Sequence, residues 1–189
     1  MIKLTLLVAA IQPISSQSTS ENAIHGFYDF KIPDIQGNLI NLNEHKGKIG
    51  LIVNVASFCG YTNSEYNHLN RLYETFPDRS KFEIFAFPCN QYGEQEPKDP
   101  DWILNFVRNS KKSKFTVFKK QDVWGKTASK PWQWINTQLD MDGPSWNFNK
   151  ILVNENGEII KFYDQDVRSI DLEPVIRKEI SKMENKYEL

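Results

Sequence analysis

The stretch Gly50-Leu51-Ile52-Val53-Asn54-Val55-Ala56-Ser57-Phe58-Cys59-Gly60-Tyr61-Thr62 changes character partway along. From Gly50 to Ala56 it is almost continuously apolar, the composition of a strand buried on both faces. From about Thr62 to Phe76 the pattern shifts to a helical period, with Tyr66, Leu69, Leu72, Tyr73 and Phe76 on one face. A buried strand followed by an amphipathic helix argues for an α/β domain.

The flanking segments repeat the alternation. Phe82-Glu-Ile-Phe-Ala-Phe87 reads as a second core strand stopped by Pro88. A helix follows over Pro100 to Arg108, presenting Trp102, Ile103, Phe106 and Val107, and another over Lys130 to Leu139, with Pro131 favourable in its first turn. Ile151 to Val153 and Ile159 to Phe162 flank Asn156-Gly157 as a closing hairpin, and Phe27 to Phe30 with Leu39 to Leu42 flank Gly37-Asn38 as an opening one. Asp171 to Met183 is a last amphipathic helix. This order resembles a thioredoxin-like fold, a central mixed sheet with helices on both faces.

A chain of 189 residues with 40% apolar and 25% charged residues suits one domain with a sizeable core. Its formal charge of −1 argues against nucleic acid as a partner. Lys3, the apolar run Leu4 to Ile11, then Pro13 and Ser15-Ser16-Gln17-Ser18 follow the order of a secretory signal peptide, expected over residues 1–18 with cleavage between 16 and 20. That run is too short to span a bilayer, which takes about 20 residues, so no stable membrane anchor is expected. The domain proper is expected over residues 21–185. Lys186-Tyr187-Glu188-Leu189 resembles the Lys-Asp-Glu-Leu retention tail, so the expected location is the lumen of the endoplasmic reticulum, with secretion as the alternative.

Cys59 and Cys89 are the two cysteines, too few for a disulfide-stapled scaffold. Cys59 lies in a strand-to-helix loop, at the end of the sheet where α/β sites gather. The helix N-terminus beside it would stabilise a thiolate, the reactive form of the residue. Packing explains a buried cysteine equally well from position alone. Gly60, Tyr61 and Thr62 follow Cys59, so there is no Cys-x-x-Cys pair for dithiol exchange within one loop. His25, His45 and His68 lie far apart without ligand spacing, and neither a metal nor another cofactor is expected.

Three separated motifs tip that balance: Asn54-Val-Ala-Ser-Phe-Cys-Gly-Tyr-Thr62, Phe87-Pro-Cys-Asn-Gln-Tyr-Gly93 with Gln95-Glu-Pro97, and Trp146-Asn147-Phe148-Asn149-Lys150. In this order they resemble the glutathione peroxidase family over nearly the whole chain from Phe27 onward. The resemblance implies a catalytic tetrad of Cys59, Gln91, Trp146 and Asn147, with Cys59 where many members carry selenocysteine. The amides and the indole N–H are neutral donors suited to holding a thiolate and the oxygen released from a peroxide.

The implied substrate is hydrogen peroxide or an organic hydroperoxide, and the implied intermediate a sulfenic acid resolved by a thiol. Many relatives carry a resolving cysteine in the helix corresponding to Pro100–Arg108, and none occurs there. Cys89 is the one internal candidate. The pattern is most similar to the endoplasmic-reticulum branch, glutathione peroxidases 7 and 8, which implies protein disulfide isomerase as reductant, with a thioredoxin-like protein or glutathione as alternatives. Residues 123–145 are too few for the extra loop of tetrameric members, which suggests a monomer with an open site. Two other readings stand beside this one: a peroxide sensor that turns over slowly, and a dithiol oxidoreductase using Cys59 and Cys89.

Overall fold

The computed structural model describes residues 24–187. The expected leader and the Glu188-Leu189 end of the tail lie outside the described residues. A two-stranded ribbon, β1 (Lys31–Pro33) against β2 (Leu39–Asn41), precedes the main sheet. The sheet is built from β3 (Ile49–Val55), β4 (Phe82–Pro88), β5 (Thr116–Val117), β6 (Lys150–Val153) and β7 (Ile159–Tyr163), in the order β5-β4-β3-β6-β7. Strands β3, β4 and β5 run parallel, whereas β6 and β7 are antiparallel to their neighbours, so the sheet is mixed as expected.

Helices cover both faces. On one side α1 (Thr62–Thr75) and α4 (Glu173–Tyr187) bury Tyr66, Leu69, Leu72 and Ile176 against Leu51, Val53, Ile84 and Ala86. On the other, α3 (Lys130–Gln138) places Trp132 and Ile135 against Ile52, Phe85, Phe87 and Ile151. The alternation along β3 and β4 decides which side chain joins which core, because successive residues of a strand point to opposite faces. Both strands are buried throughout, matching their apolar runs. Among the described residues no helix is long and apolar enough to cross a membrane.

Two elements differ from the sequence expectation. Phe27–Asp29 is a 3-10 turn rather than a strand, because the Asp29 carboxylate accepts from His25 and Gly26 backbone N–H at 2.9 and 3.1 Å and curls the chain. The pairing therefore begins at Lys31. The helix expected to run to Arg108 is α2 (Pro100–Asn105), capped by Asp99 through Trp102 N–H at 2.8 Å, and it widens into a π turn over Phe106–Ser110. The short edge strand β5 was not expected; two residues carry no legible period.

The register fixes where the loops meet. Val55 pairs with Pro88 at the C-terminal ends of two parallel strands, and Val53 pairs with Lys150 at the start of β6. The loops after β3 and β4 and the segment entering β6 therefore emerge at one edge of the sheet. They are the three segments that carry the sequence motifs.

Candidate active site

Cys59 stands between β3 and α1, 8% exposed, with a free thiol. Thr62 staples its loop: the Thr62 hydroxyl donates to the Ala56 carbonyl at 2.7 Å and accepts from Cys59 N–H at 3.0 Å. The Thr62 N–H returns to the Cys59 carbonyl at 3.0 Å. This geometry holds Cys59 at the positive end of the α1 dipole, where an anion is favoured.

The Trp146–Asn149 segment is held by one residue of β3. Asn54, fully buried, donates to the Trp146 carbonyl at 2.8 Å through Nδ2 and accepts from Asn149 N–H at 3.0 Å through Oδ1. Its carbonyl accepts from Phe148 N–H at 2.7 Å. Phe148 takes a φ of 66°, which a non-glycine residue adopts at some cost and which bends the chain sharply after Asn147. The sequence reading quoted Asn54 at the head of a motif but gave no role to this lone polar residue of an apolar strand. That interruption was itself the available signal.

Asn147 is fully buried and donates from Nδ2 to Gln95 Oε1 at 3.0 Å and to the Tyr92 carbonyl at 3.5 Å. Among the described residues its Oδ1 has no partner. The Gln95 carbonyl in turn accepts from Phe58 N–H at 3.0 Å, one residue before Cys59. Gln95 thus bridges the Cys59 loop and Asn147. Trp146, half-buried, packs against the apolar cores of both faces.

Gln91 occupies a different place from the one the sequence reading gave it. Its Oε1 accepts from Val123 and Trp124 N–H at 2.7 and 3.2 Å, and its Nε2 donates to the Trp124 carbonyl at 3.1 Å. Gly93 and Glu94, at φ 61° and 53°, reverse the chain between the two glutamines, so Gln91 faces the 123–124 loop and Gln95 faces Asn147. Both lie within a few residues of one motif. Only the turn geometry distinguishes them.

Cys89 is also displaced from its expected role. It packs with Phe85, Phe87 and Trp132 in the α3-side core, whereas Cys59 borders the α1-side core. The two thiols thus pack in different cores, in the loops that follow β3 and β4, and both are free. Burial pushes the Cys89 thiol up to about 11, so it is held as the unreactive thiol.

Beneath Gln95 sits Glu96, fully buried, with Oε2 accepting from the Ser57 hydroxyl at 3.0 Å and Oε1 unpaired. Burial raises its pKa to about 7, against weaker lowering by Ser57 and Lys120. At the mouth, Phe58 is 51% exposed and stacks on Trp102 at 5.3 Å between ring centroids. No cluster able to hold a metal ion occurs among the described residues.

A family model described as Glutathione peroxidase matches residues 27–136. The chain is 42% identical over 169 residues to a probable phospholipid hydroperoxide glutathione peroxidase of Mesembryanthemum crystallinum, covering 87% of this chain and 97% of the relative. It is 37% identical over 157 residues to glutathione peroxidase 7 of Mus musculus, covering 83% of each. Among solved structures, GPX1 of T. cruzi superposes with a TM-score of 0.67 at 26% identity, covering 82% of this chain and 97% of the other. A thioredoxin-family thiol:disulfide interchange protein of Chlorobium tepidum superposes with a TM-score of 0.58 at 14% identity, over 80% of this chain and 92% of the other, which speaks to the thioredoxin-like fold alone. The match to the family model over more than half the chain, with relatives aligned along most of their length, makes this chain a member of the glutathione peroxidase family.

Proposed function

We propose that Cys59 performs the peroxide reduction by which this thiol-dependent peroxidase acts, with Gln95, Trp146 and Asn147 as its hydrogen-bonding partners. The observation that carries the reading is the Gln95–Asn147 hydrogen bond, made by a residue whose carbonyl accepts from Phe58 N–H in the Cys59 loop, with the buried Asn147 Oδ1 unpaired among the described residues. The thiolate attacks one peroxide oxygen, the O–O bond breaks, and the other oxygen leaves as water or an alcohol after taking a proton. Cys59 is left as the sulfenic acid. Neutral donors around the developing oxyanion lower the barrier without introducing a competing base.

Regeneration falls to an external thiol, because Cys89 lies in the opposite core. A thiol condenses with the sulfenic acid, releasing water and leaving a mixed disulfide, and a second thiolate displaces Cys59. Protein disulfide isomerase, a thioredoxin-like protein or glutathione would each fit that chemistry. The leader-like residues and the Glu-Leu end support action in the endoplasmic reticulum lumen, with secretion as the alternative. Retention of a tagged full-length chain in that compartment, and its loss when the last four residues are removed, tests the location.

The reaction is tested by stopped-flow tryptophan fluorescence of the reduced protein mixed with hydrogen peroxide. A peroxide-dependent change is expected in wild type and is expected to vanish in Cys59→Ala. If the protein still consumes peroxide without Cys59, the assignment of the nucleophile is wrong.

A further inference from the structure

Gln91 faces away from Asn147, and the loop it holds forms one wall of a cleft. The cleft, of about 180 Å³, is lined by Tyr92, Trp124, Asp142, Gly143 and Pro144. Each wall is fixed by hydrogen bonds. Gln91 fastens residues 123 and 124 through both ends of its amide. Asn136, buried on α3, donates to the Val123 and Asp142 carbonyls at 2.9 and 3.5 Å and so ties the two walls together. The Tyr92 hydroxyl donates to the Pro144 carbonyl. Gly143, at φ 154°, lets Trp124 approach: a Cβ there would stand 2.3 Å from that of Trp124.

Trp124 is nevertheless 43% exposed, a large apolar side chain whose backbone Gln91 holds and which lines the cleft. The floor is continuous with the catalytic residues. The Tyr92 ring lies 5.8 Å from that of Trp146, and the Tyr92 carbonyl accepts from Asn147 Nδ2. Asp142, exposed at the rim, is the one charged lining residue among the described residues, which disfavours an anionic occupant. The volume corresponds to about six waters, room for a phenyl ring or a short alkyl stretch.

We propose that this cleft receives the uncharged alkyl or aryl group of an organic hydroperoxide, and that Trp124, positioned by Gln91, sets the preference for such substrates over hydrogen peroxide. The proposal rests on the peroxidase reading and adds the part of the site that distinguishes one peroxide from another. The organic group occupies the cleft while its O–O bond reaches Cys59. Hydrogen peroxide has nothing to place there.

The test measures the rate of Cys59 oxidation by cumene hydroperoxide and by hydrogen peroxide, from acid-quenched samples weighed by intact mass spectrometry. In Trp124→Ala the ratio of the two rate constants is expected to fall by about 10-fold, the discrimination an apolar pocket loses with part of its wall. Gln91→Ala is expected to lower the ratio in the same direction by a smaller factor. An unchanged ratio in Trp124→Ala overturns the proposal. So does a loss in Gln91→Ala that is equal for both peroxides, which would return Gln91 to the chemistry.

A second measurement needs no variant. In wild type, 2-phenyl-2-propanol, the product alcohol, is expected to slow oxidation by hydrogen peroxide in a saturable way, and no slowing overturns the proposal. A wild type that reduces neither peroxide overturns the peroxidase reading as well. Turnover of both, with the ratio kept in Trp124→Ala, overturns only the cleft.

Discussion

Asn147 Oδ1 is buried without a partner among the described residues. An unmet acceptor of that kind costs about 1–3 kcal/mol. A peroxide hydroxyl donating to it would recover that cost at the moment of binding, while the Gln95 carboxamide holds the other end of the amide in place. Gln95→Ala is therefore expected to slow Cys59 oxidation by about 100-fold, the scale of removing one oriented group. It is also expected to lower Tm by the equivalent of about 1–3 kcal/mol, since the buried Asn147 Nδ2 keeps its 3.5 Å bond to the Tyr92 carbonyl. Rapid-quench mass spectrometry gives the first and thermal denaturation the second. Glu96 makes a separate prediction. Its folded pKa, about 7, lies above the ordinary 4.5, so between those values the folded chain keeps a proton that the unfolded chain has lost. The stabilisation is full below pH 4.5, falls as pH rises through about 7, and then stays lost. Its size is on the order of 3 kcal/mol. Glu96→Gln, which cannot ionise, is expected to melt above wild type at pH 8 and near it at pH 4.5, as read by Tm at the two pH values.

At the scale of elements, β3 supplies more than a core strand. Asn54 fastens the segment that enters β6, and Lys150, at the start of β6, reaches back to α1 through an ion pair with Glu65 at 3.2 Å. Lys150 is fully buried, and burial lowers its pKa despite the nearby Glu65. Glu65 also accepts from the Ser169 hydroxyl at 2.6 Å, so one carboxylate joins α1, β6 and the turn before α4. Removing Lys150 takes the buried cation from the Glu65 carboxylate, leaving it the Ser169 hydroxyl and the His68 ring as partners. Lys150→Met is expected to cost about 3–5 kcal/mol in urea denaturation. Asn54→Ala leaves the Trp146 carbonyl and the Asn149 N–H unpaired, at a cost on the order of 3 kcal/mol. It is also expected to slow Cys59 oxidation, because Trp146 and Asn147 lose their shared anchor. Stability lost with the oxidation rate kept would limit Asn54 to a structural role.

Across the whole molecule, the two thiols pack in different cores and the three motifs gather at the C-terminal ends of β3 and β4. Peroxide added without a reductant is expected to oxidise Cys59 and to leave Cys89 a free thiol, with no intramolecular disulfide in peptide mapping under non-reducing conditions. A Cys59–Cys89 bond forming rapidly from the native protein would overturn the assignment of Cys89 to the packing of the α3-side core. Much of this was legible in the sequence. The apolar runs of β3 and β4, the period of α1 and the Asn156-Gly157 turn gave the α/β order, because burial and local period act on neighbouring residues. The resemblance of the three motifs to the glutathione peroxidase family brought Cys59, Trp146 and Asn147 forward. The choice between Gln91 and Gln95 was not legible, nor was the side of the sheet that Cys89 faces, nor the work of Asn54. Each depends on where a side chain points after a turn or across a strand pair. The sequence by itself determined the central strands, the main helices and the residue types that the site would use. Tertiary structure alone decided which glutamine meets Asn147 and what the other one holds, because a left-handed pair at Gly93 and Glu94 turns two residues of one motif toward different partners.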